Sequence, residues 1–398
     1  MSKAIFFMVP TAGHVNPSLP LTAELVSRGE HILYFLTDGY RAKVESTGAE
    51  FRAYTSIGDE YFDGLDGSNP PNTAQRLAAT SLEILPELVR IIHEEQPDYI
   101  VYDSMCPWGM LAAKHCGVKS VSSMGLLAFT PAMLIKSGLL PSLIWAVVRN
   151  GRYLLQYNRL AAQIKRDYDV KVPMFADFLN NTGDLTISYT SKTFQPSAES
   201  FGESFRYVGP AIAPRQDASN FPFDQLYDAQ PLVYISLGTV INRNLTFYRN
   251  CISAFRDAPY QVVMSVGKNT DISALGTLPA NFIVRGFVPQ LDILARASVF
   301  VTHAGMNSVH EGLYYDVPLV LVPQQQEQTF VANRVVELGA GLKISTTTPE
   351  PTILREKTDA ILQNPAFKQS ASTLGEGMRS AGGQKRAVDE ILKMVGGS

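Results

Sequence analysis

The stretch Val299-Phe300-Val301-Thr302-His303-Ala304-Gly305-Met306-Asn307-Ser308 decides how the fold is read. Its first four residues are apolar or β-branched, as a strand buried on both faces requires. A short loop containing one glycine follows, and Asn307–Tyr314 then has helical spacing. Strand, tight loop and helix in that order are the unit from which parallel sheets with right-handed crossovers are built.

The unit recurs on either side. Downstream, the strand Leu319–Val322 precedes a helix over Glu327–Leu338. Upstream, Leu232–Ser236, Gln261–Ser265 and Phe282–Arg285 read as strands, with helices over Thr246–Phe255 and Gln290–Ala297. The first half repeats the alternation. Ala4–Val9 is a continuous apolar run, followed by a loop, Pro10-Thr11-Ala12-Gly13-His14-Val15-Asn16-Pro17. Ser18 is expected to cap a helix with Pro20 in its first turn, ended before Gly29. His31–Leu36, Tyr99–Tyr102 and Lys119–Ser122 read as further strands, and Trp108–His115 as a helix stopped by Gly117. Between 209 and 231 periodicity is lost: Pro210, Pro214, Pro222 and Pro231 interleave with Asp217, Ser219, Asn220 and Asp228, a linker composition.

The expected fold class is therefore α/β: two Rossmann-like doubly wound domains facing a central cleft. They cover 1–208 and 232–380, joined by a linker over 209–231. The tail 381–398 is read as a helix that can pack back on either domain, the N-terminal one being our choice. Ligands of such folds bind at the carboxyl ends of the strands.

Bulk properties fit a two-domain globular protein. The chain has 398 residues, 45% hydrophobic and 18% charged, with a net charge of −3. No basic face points to nucleic acid. Cys106, Cys116 and Cys251 are scattered, odd in number and without metal spacing, which suits a reducing cytoplasm better than a disulfide scaffold. The apolar stretch from Gly125 to Val148 is interrupted by Pro131, Lys136, Pro141 and several serines, so a pocket wall or peripheral surface is expected there rather than a membrane span.

The chemistry gathers at strand ends. Backbone N–H groups at the helix start after His303 favour an anion, and Asn307 and Ser308 add donors. A histidine there can donate to a phosphate oxygen, so the loop reads as a diphosphate cradle without a Walker lysine. It reads equally as a strand-end histidine beside an ordinary helix cap. Glu311, one turn beyond Asn307, suits the two vicinal hydroxyls of ribose, or is a surface glutamate. Glu327-Gln328 suits a hexose, or is acid placed by the helix dipole. Ser236, Gly238, Thr239 and Ser265 close two strands with small donors. Phe287 can stack on a base whose edge meets the Val288 backbone beside Gln290, or can belong to the core.

These motifs together resemble the donor signature of family 1 UDP-glycosyltransferases, in the bacterial branch that glycosylates macrolides and other natural products. The signature runs from Phe287-Val288-Pro289-Gln290 through His303–Ser308, Glu311-Gly312 and Val317-Pro318 to Glu327-Gln328. The likeness extends to Ser236–Thr239 and to Gly13-His14-Val15-Asn16-Pro17, so it reaches both halves. It implies the GT-B architecture. It also implies that His303, Gly305, Asn307 and Ser308 contact the diphosphate, that Glu311 holds the ribose, and that Glu327 and Gln328 hold the sugar. Two positions depart from the pattern: Phe287 stands where plant relatives have tryptophan, and Ala304 where cysteine or glycine is common.

Sugar transfer to a hydroxyl needs a base. His14, after the first strand, is suited to it, and Asp103, after Tyr99–Tyr102, can fix its tautomer; a loop histidine and a helix cap are the plainer readings. The resemblance gives the pair the same roles. Direct attack inverts the anomeric carbon. The histidines and cysteines lack ligand spacing, so neither metal nor cofactor is expected, UDP-sugar being a co-substrate. Ser123 is expected to add a diphosphate contact. Phe129, Met133 and Leu134 are expected to line an apolar acceptor side fitted to flavonoids, macrolides or terpenoids. A membrane-lipid acceptor, a sugar-nucleotide epimerase or hydrolase, and a non-catalytic partner of the same fold are the alternatives.

Overall fold

The computed structural model describes residues 2–58, 69–130, 133, 149–173, 180–213, 221–227, 229–238, 242, 244–268 and 270–397. Thr239, Leu134, most of the apolar stretch around Lys136 and part of the 209–231 segment lie outside the described residues. The chain divides into two compact units, Met1–Ala211 with Ala381–Ser398, and Ile212–Ser380.

The first unit runs β1 (Lys3–Phe7), α1 (Ala12–Ser27), β2 (His31–Leu36), α2 (Arg41–Glu45), β3 (Glu50–Ala53) and α3 (Pro70–Glu95). It continues with β4 (Tyr99–Asp103), α4 (Pro107–Cys116), β5 (Lys119–Met124), α5 (Gly151–Tyr168), β6 (Leu185–Ser188) and β7 (Phe205–Tyr207). Its sheet has the order β3-β2-β1-β4-β5-β6-β7, and all the pairings are parallel. The period of two along a strand explains the two cores. Ile5 and Phe7 enter one with Ile100 and Tyr102, beneath α3, α4 and α5. Ala4 and Phe6 enter the other with Tyr99 and Val101, beneath α1.

The second unit runs β8 (Leu232–Ser236), α6 (Leu245–Phe255), β9 (Gln261–Ser265), β10 (Phe282–Arg285), α7 (Gln290–Leu294) and β11 (Val299–Thr302). Then come α8 (Met306–Tyr314), β12 (Leu319–Leu321), α9 (Gln326–Glu337), β13 (Gly341–Lys343), α10 (Pro351–Gln363) and α11 (Pro365–Ser380). The sheet order is β10-β9-β8-β11-β12-β13, again all parallel. Both units are thus doubly wound and Rossmann-like, the class expected from the strand–helix alternation.

A last helix, α12 (Gly383–Gly396), belongs to the first unit. Its Ala387, Val388 and Ile391 join the core of Phe6, Leu21 and Leu25. Polar contacts fix its place: the Gly383 N–H donates to the Val208 carbonyl at 2.6 Å. Lys119 Nζ donates to the Met394 carbonyl at 3.0 Å, and Arg206 pairs with Glu390 at 2.7 Å.

One expectation about the first unit is corrected. The segment read as a loop, with a helix beginning at Ser18, is already helical from Ala12, with Thr11 as its extended N-cap residue. The N–H groups of His14 and Val15 both donate to the Thr11 carbonyl, at 3.0 and 2.9 Å. Proline in a helix interior removes a donor and clashes with the preceding turn, so Pro17 looked like a break. The helix accommodates Pro17 and Pro20 both. Ser18 is no cap; its hydroxyl bonds the Val15 carbonyl and the Tyr34 hydroxyl.

Candidate active site

Both sheets reverse direction of winding once, and the polar groups singled out in the sequence collect there. In the first unit the switch lies between β1 and β4. A crevice forms at such a point, outside the carboxyl ends of the two strands, because the crossovers leave to opposite sides. His14 sits in the first turn of α1, just after β1, and Asp103 is the last residue of β4. His14 Nδ1 lies 2.9 Å from each carboxylate oxygen of Asp103. A carboxylate accepts, so Nδ1 carries the ring proton and Nε2 is left as the acceptor nitrogen. The Asp103 side chain is buried, while that of His14 is 17% exposed. The Met105 N–H also donates to Asp103 Oδ1, at 2.7 Å, which fixes the carboxylate plane.

Two tyrosines close the floor of this site. Tyr34 and Tyr189 are buried, and burial raises both phenols, with the nearby Asp103 charge acting in the same direction. They stay neutral donors and acceptors. Ser123, expected to reach a diphosphate, is buried, and its hydroxyl meets that of Tyr189 at 2.9 Å. The structure therefore places Ser123 inside the unit rather than at an open surface. Of the predicted acceptor residues, Phe129 is half-buried and Met133 buried. Sequence reasoning missed what holds this segment. Gln195 accepts from the Ala128 N–H at 3.0 Å and donates to the Ala128 carbonyl at 2.9 Å. Asn180 does the same for Phe129, accepting its N–H at 3.0 Å and donating to its carbonyl. Two carboxamides thus stand in for a neighbouring strand.

In the second unit the switch lies between β8 and β11. The loop after β11 carries His303, and the loop after β8 carries Gly238. The histidine ring lies close against two glycines. A Cβ at Gly238 would sit 2.7 Å from His303 Cε1, and one at Gly305 would overlap Nε2 outright. Gly238 is also left-handed, with φ +78°. Glycine is required at both positions for space, and at Gly238 for conformation too. Enclosure lowers the His303 imidazole to about 4, against an upward pull from a hydrogen bond to the Ser236 main chain. The ring is uncharged near neutrality. Ala304 is left-handed as well, at φ +65°, which turns the chain into α8 with Gly305 as its N-cap. Asn307 and Ser308 occupy the first turn. Asn242, which no motif announced, donates to the Gly238 carbonyl at 3.0 Å and packs against Gly267, tying the loops after β8 and β9. Ser265 ends β9 in register with Ser236.

Glu311 lies on the next turn of α8 and is buried. Gln290, the first residue of α7, donates to Glu311 Oε2 at 2.6 Å. Tyr234 in β8 donates to Gln290 Oε1 at 2.9 Å. Phe287 is 40% exposed, while Val288 beside it is buried. Gln328 reaches back past the start of its helix, its Oε1 accepting the Gln324 N–H at 2.8 Å, which leaves Nε2 as the donor end. Glu327 beside it is exposed. Among the described residues no group of three or more His, Cys, Asp or Glu is arranged to hold a metal, and no helix is long and apolar enough to cross a membrane.

Each unit is a parallel sheet with polar groups gathered at its switch point, and the pair matches the GT-B glycosyltransferases in structure. Comparison with known proteins gives the family. Residues 252–394 match the family described as Erythromycin biosynthesis protein CIII-like, C-terminal domain. The uncharacterized UDP-glucosyltransferase YojK of Bacillus subtilis (strain 168) is 34% identical over 99% of this chain and 98% of its own length. The oleandomycin glycosyltransferase of Streptomyces antibioticus is 28% identical over 97% of this chain and 89% of its own. The crystal structure of the calicheamicin glycosyltransferase CalG4 matches with a TM-score of 0.84 at 29% identity, over 100% of this chain and 98% of that one. The chain belongs to the UDP-glycosyltransferase family, in its bacterial natural-product branch. It is a natural-product-type glycosyltransferase that uses a nucleotide sugar.

Proposed function

We propose that this enzyme moves glucose from UDP-glucose to a hydroxyl of a small hydrophobic acceptor, with inversion at the anomeric carbon and with His14 as the base. The single observation that carries the proposal is the two-oxygen grip of Asp103 on His14 Nδ1. It selects the tautomer whose Nε2 can take a proton, and it stabilises the imidazolium that results. The acceptor oxygen forms its bond to C1 as the bond from C1 to the UDP oxygen breaks. The acceptor proton goes to His14, and UDP leaves with the electron pair.

Charge on the departing diphosphate is met by the start of α8, with His303, Gly305, Asn307 and Ser308, where dipole and N–H groups favour an anion. Ser236, Gly238 and Ser265 border that loop. Glu311 takes the ribose, Phe287 and Val288 the base, and Glu327 and Gln328 the sugar hydroxyls. The chemistry asks for no metal and no cofactor. The name UDP-glucosyltransferase carried by YojK supports the choice of donor. Relatives named for oleandomycin and calicheamicin support a bulky apolar acceptor, with Phe129 and Met133 on its side. Three free cysteines fit a cytoplasmic enzyme. The test is a panel of hydroxylated aglycones offered with UDP-glucose, read by mass for the adduct and by the anomeric proton coupling for its configuration. A hexose adduct with β linkage is expected; hydrolysis to glucose without adduct would overturn the proposal.

A further inference from the structure

Glu311 does not stand alone at its site. Gln290 faces it with one end of its carboxamide and faces Tyr234 with the other. Only a donor can lie 2.6 Å from a carboxylate oxygen, so the amide nitrogen must face Glu311 and the amide oxygen must face Tyr234. Tyr234 is then compelled to donate. Without its hydroxyl the carboxamide oxygen loses this donor. The phenol is itself rigid: Tyr234 is buried and stacks on Phe300, its register neighbour in β11, with ring centroids 4.7 Å apart. Its flanking residues Val233 and Ile235 point the other way, into the core. A strand in the middle of the sheet thus fixes the orientation of an amide on α7, which fixes a carboxylate on α8.

We propose that Tyr234 is a positioning residue for recognition of the nucleotide ribose: through Gln290 it locks the Glu311 carboxylate so that the sugar's 2′-hydroxyl is read. This rests on the assignment of Glu311 to the ribose made above. The carboxylate is effective only if its direction is set before the nucleotide arrives, since ordering it during binding costs affinity. Gln290 is on this view a link rather than a direct contact, a role that its sequence motif does not reveal.

The test uses the full-length enzyme, with UDP and 2′-deoxy-UDP as competitive inhibitors against UDP-glucose. The two probes differ by one hydroxyl. Tyr234→Phe keeps the ring stack and removes the donor. It is expected to weaken UDP about tenfold, to leave 2′-deoxy-UDP within about twofold, and to raise the KM for UDP-glucose more than it lowers kcat. Gln290→Ala is expected to give the same selective loss, and the double variant no more than either alone, because all three break one chain. Equal weakening of both inhibitors by Tyr234→Phe would mean a general structural role and would overturn the inference. Should Tyr234→Phe fail to fold, the Gln290→Ala pair of constants decides in the same way. Wild-type enzyme inhibited equally by both probes would overturn the ribose assignment itself, which is a different result from equal weakening in the variant.

Discussion

His14 Nδ1 is equidistant, at 2.9 Å, from both carboxylate oxygens of Asp103, so the imidazole is held across the carboxylate rather than hung from one oxygen. The His14→Ala variant should lose transfer to hydroxyl acceptors by roughly 10²–10⁴ in kcat while binding UDP as before. Asp103→Asn keeps the shape and loses the charge that stabilises the imidazolium, so a loss of roughly 10² is expected there. Turnover with a fixed aglycone and UDP titration calorimetry measure the two quantities apart. Undiminished turnover in His14→Ala would remove it as the base.

Gly305 has an ordinary φ of −64°. Gly305→Ala is therefore a purely spatial test, because its new methyl would run into His303 Nε2. The ring must move or the loop must open. An overpacking cost of roughly 1–3 kcal/mol is expected, read as a lower melting temperature, together with weaker UDP binding. A variant with unchanged melting and unchanged affinity would show that the ring's seat is not needed.

Ala304 sits at φ +65° with its methyl fully buried. Ala304→Gly relieves about 1–2 kcal/mol of left-handed strain. It gives back about 0.8 kcal/mol of burial and about 0.4–1 kcal/mol of unfolded-chain entropy. The net change should lie within about 1 kcal/mol of zero. Ala304→Val adds branching and bulk to the same strain and should cost more than about 2 kcal/mol. Denaturant midpoints of the two variants check this.

Burial lowers His310 to about 3 and, by enclosure, His303 to about 4, from an ordinary 6.5. The unfolded chain takes up these protons below pH 6.5 and the folded chain does not. Their contribution is complete above pH 6.5 and is lost as the pH falls toward the folded values. For His310 alone the loss by pH 5 is about 2 kcal/mol. The unfolding transition of the second unit should shift accordingly between pH 7 and 5. His310→Gln should flatten that dependence whatever it does to absolute stability. An equally steep dependence in the variant would remove His310 as its source.

Asn180 and Gln195 each make a two-point contact with the segment that bears Phe129. Removing either amide removes both of its contacts to that segment. Asn180→Ala and Gln195→Ala should change relative kcat/KM among acceptors by about tenfold, with UDP affinity unaffected. Uniform loss across acceptors would contradict a role in shaping that side.

Much of this was legible in the chain. The strands β1, β8 and β11 announce themselves as unbroken apolar runs, since both faces are covered. The loop at His303 is visible because histidine, glycine and small polar residues meet at a strand end. The start of α1 was not, because Pro17 and Pro20 are strong local signals that packing overrides. Helix α3, capped by Asn69, opens on two prolines, so its start looks like a turn in the sequence. Tyr234, Asn242, Asn180 and Gln195 were invisible for another reason. Each acts on a residue tens of positions away or across two loops, and only the folded chain brings such pairs together. Ser123 shows the converse: a serine at a strand end looks available until the tyrosine beneath it is seen.

The last helix has a consequence for how the molecule is made. Ala387, Val388 and Ile391 fill the core under β1, so the first unit stays unsealed until α12, which follows the whole second unit along the chain, has been made. Until that helix is made, the first unit carries an open apolar groove along α1. For the maturation of the first unit, α12 is the closing piece.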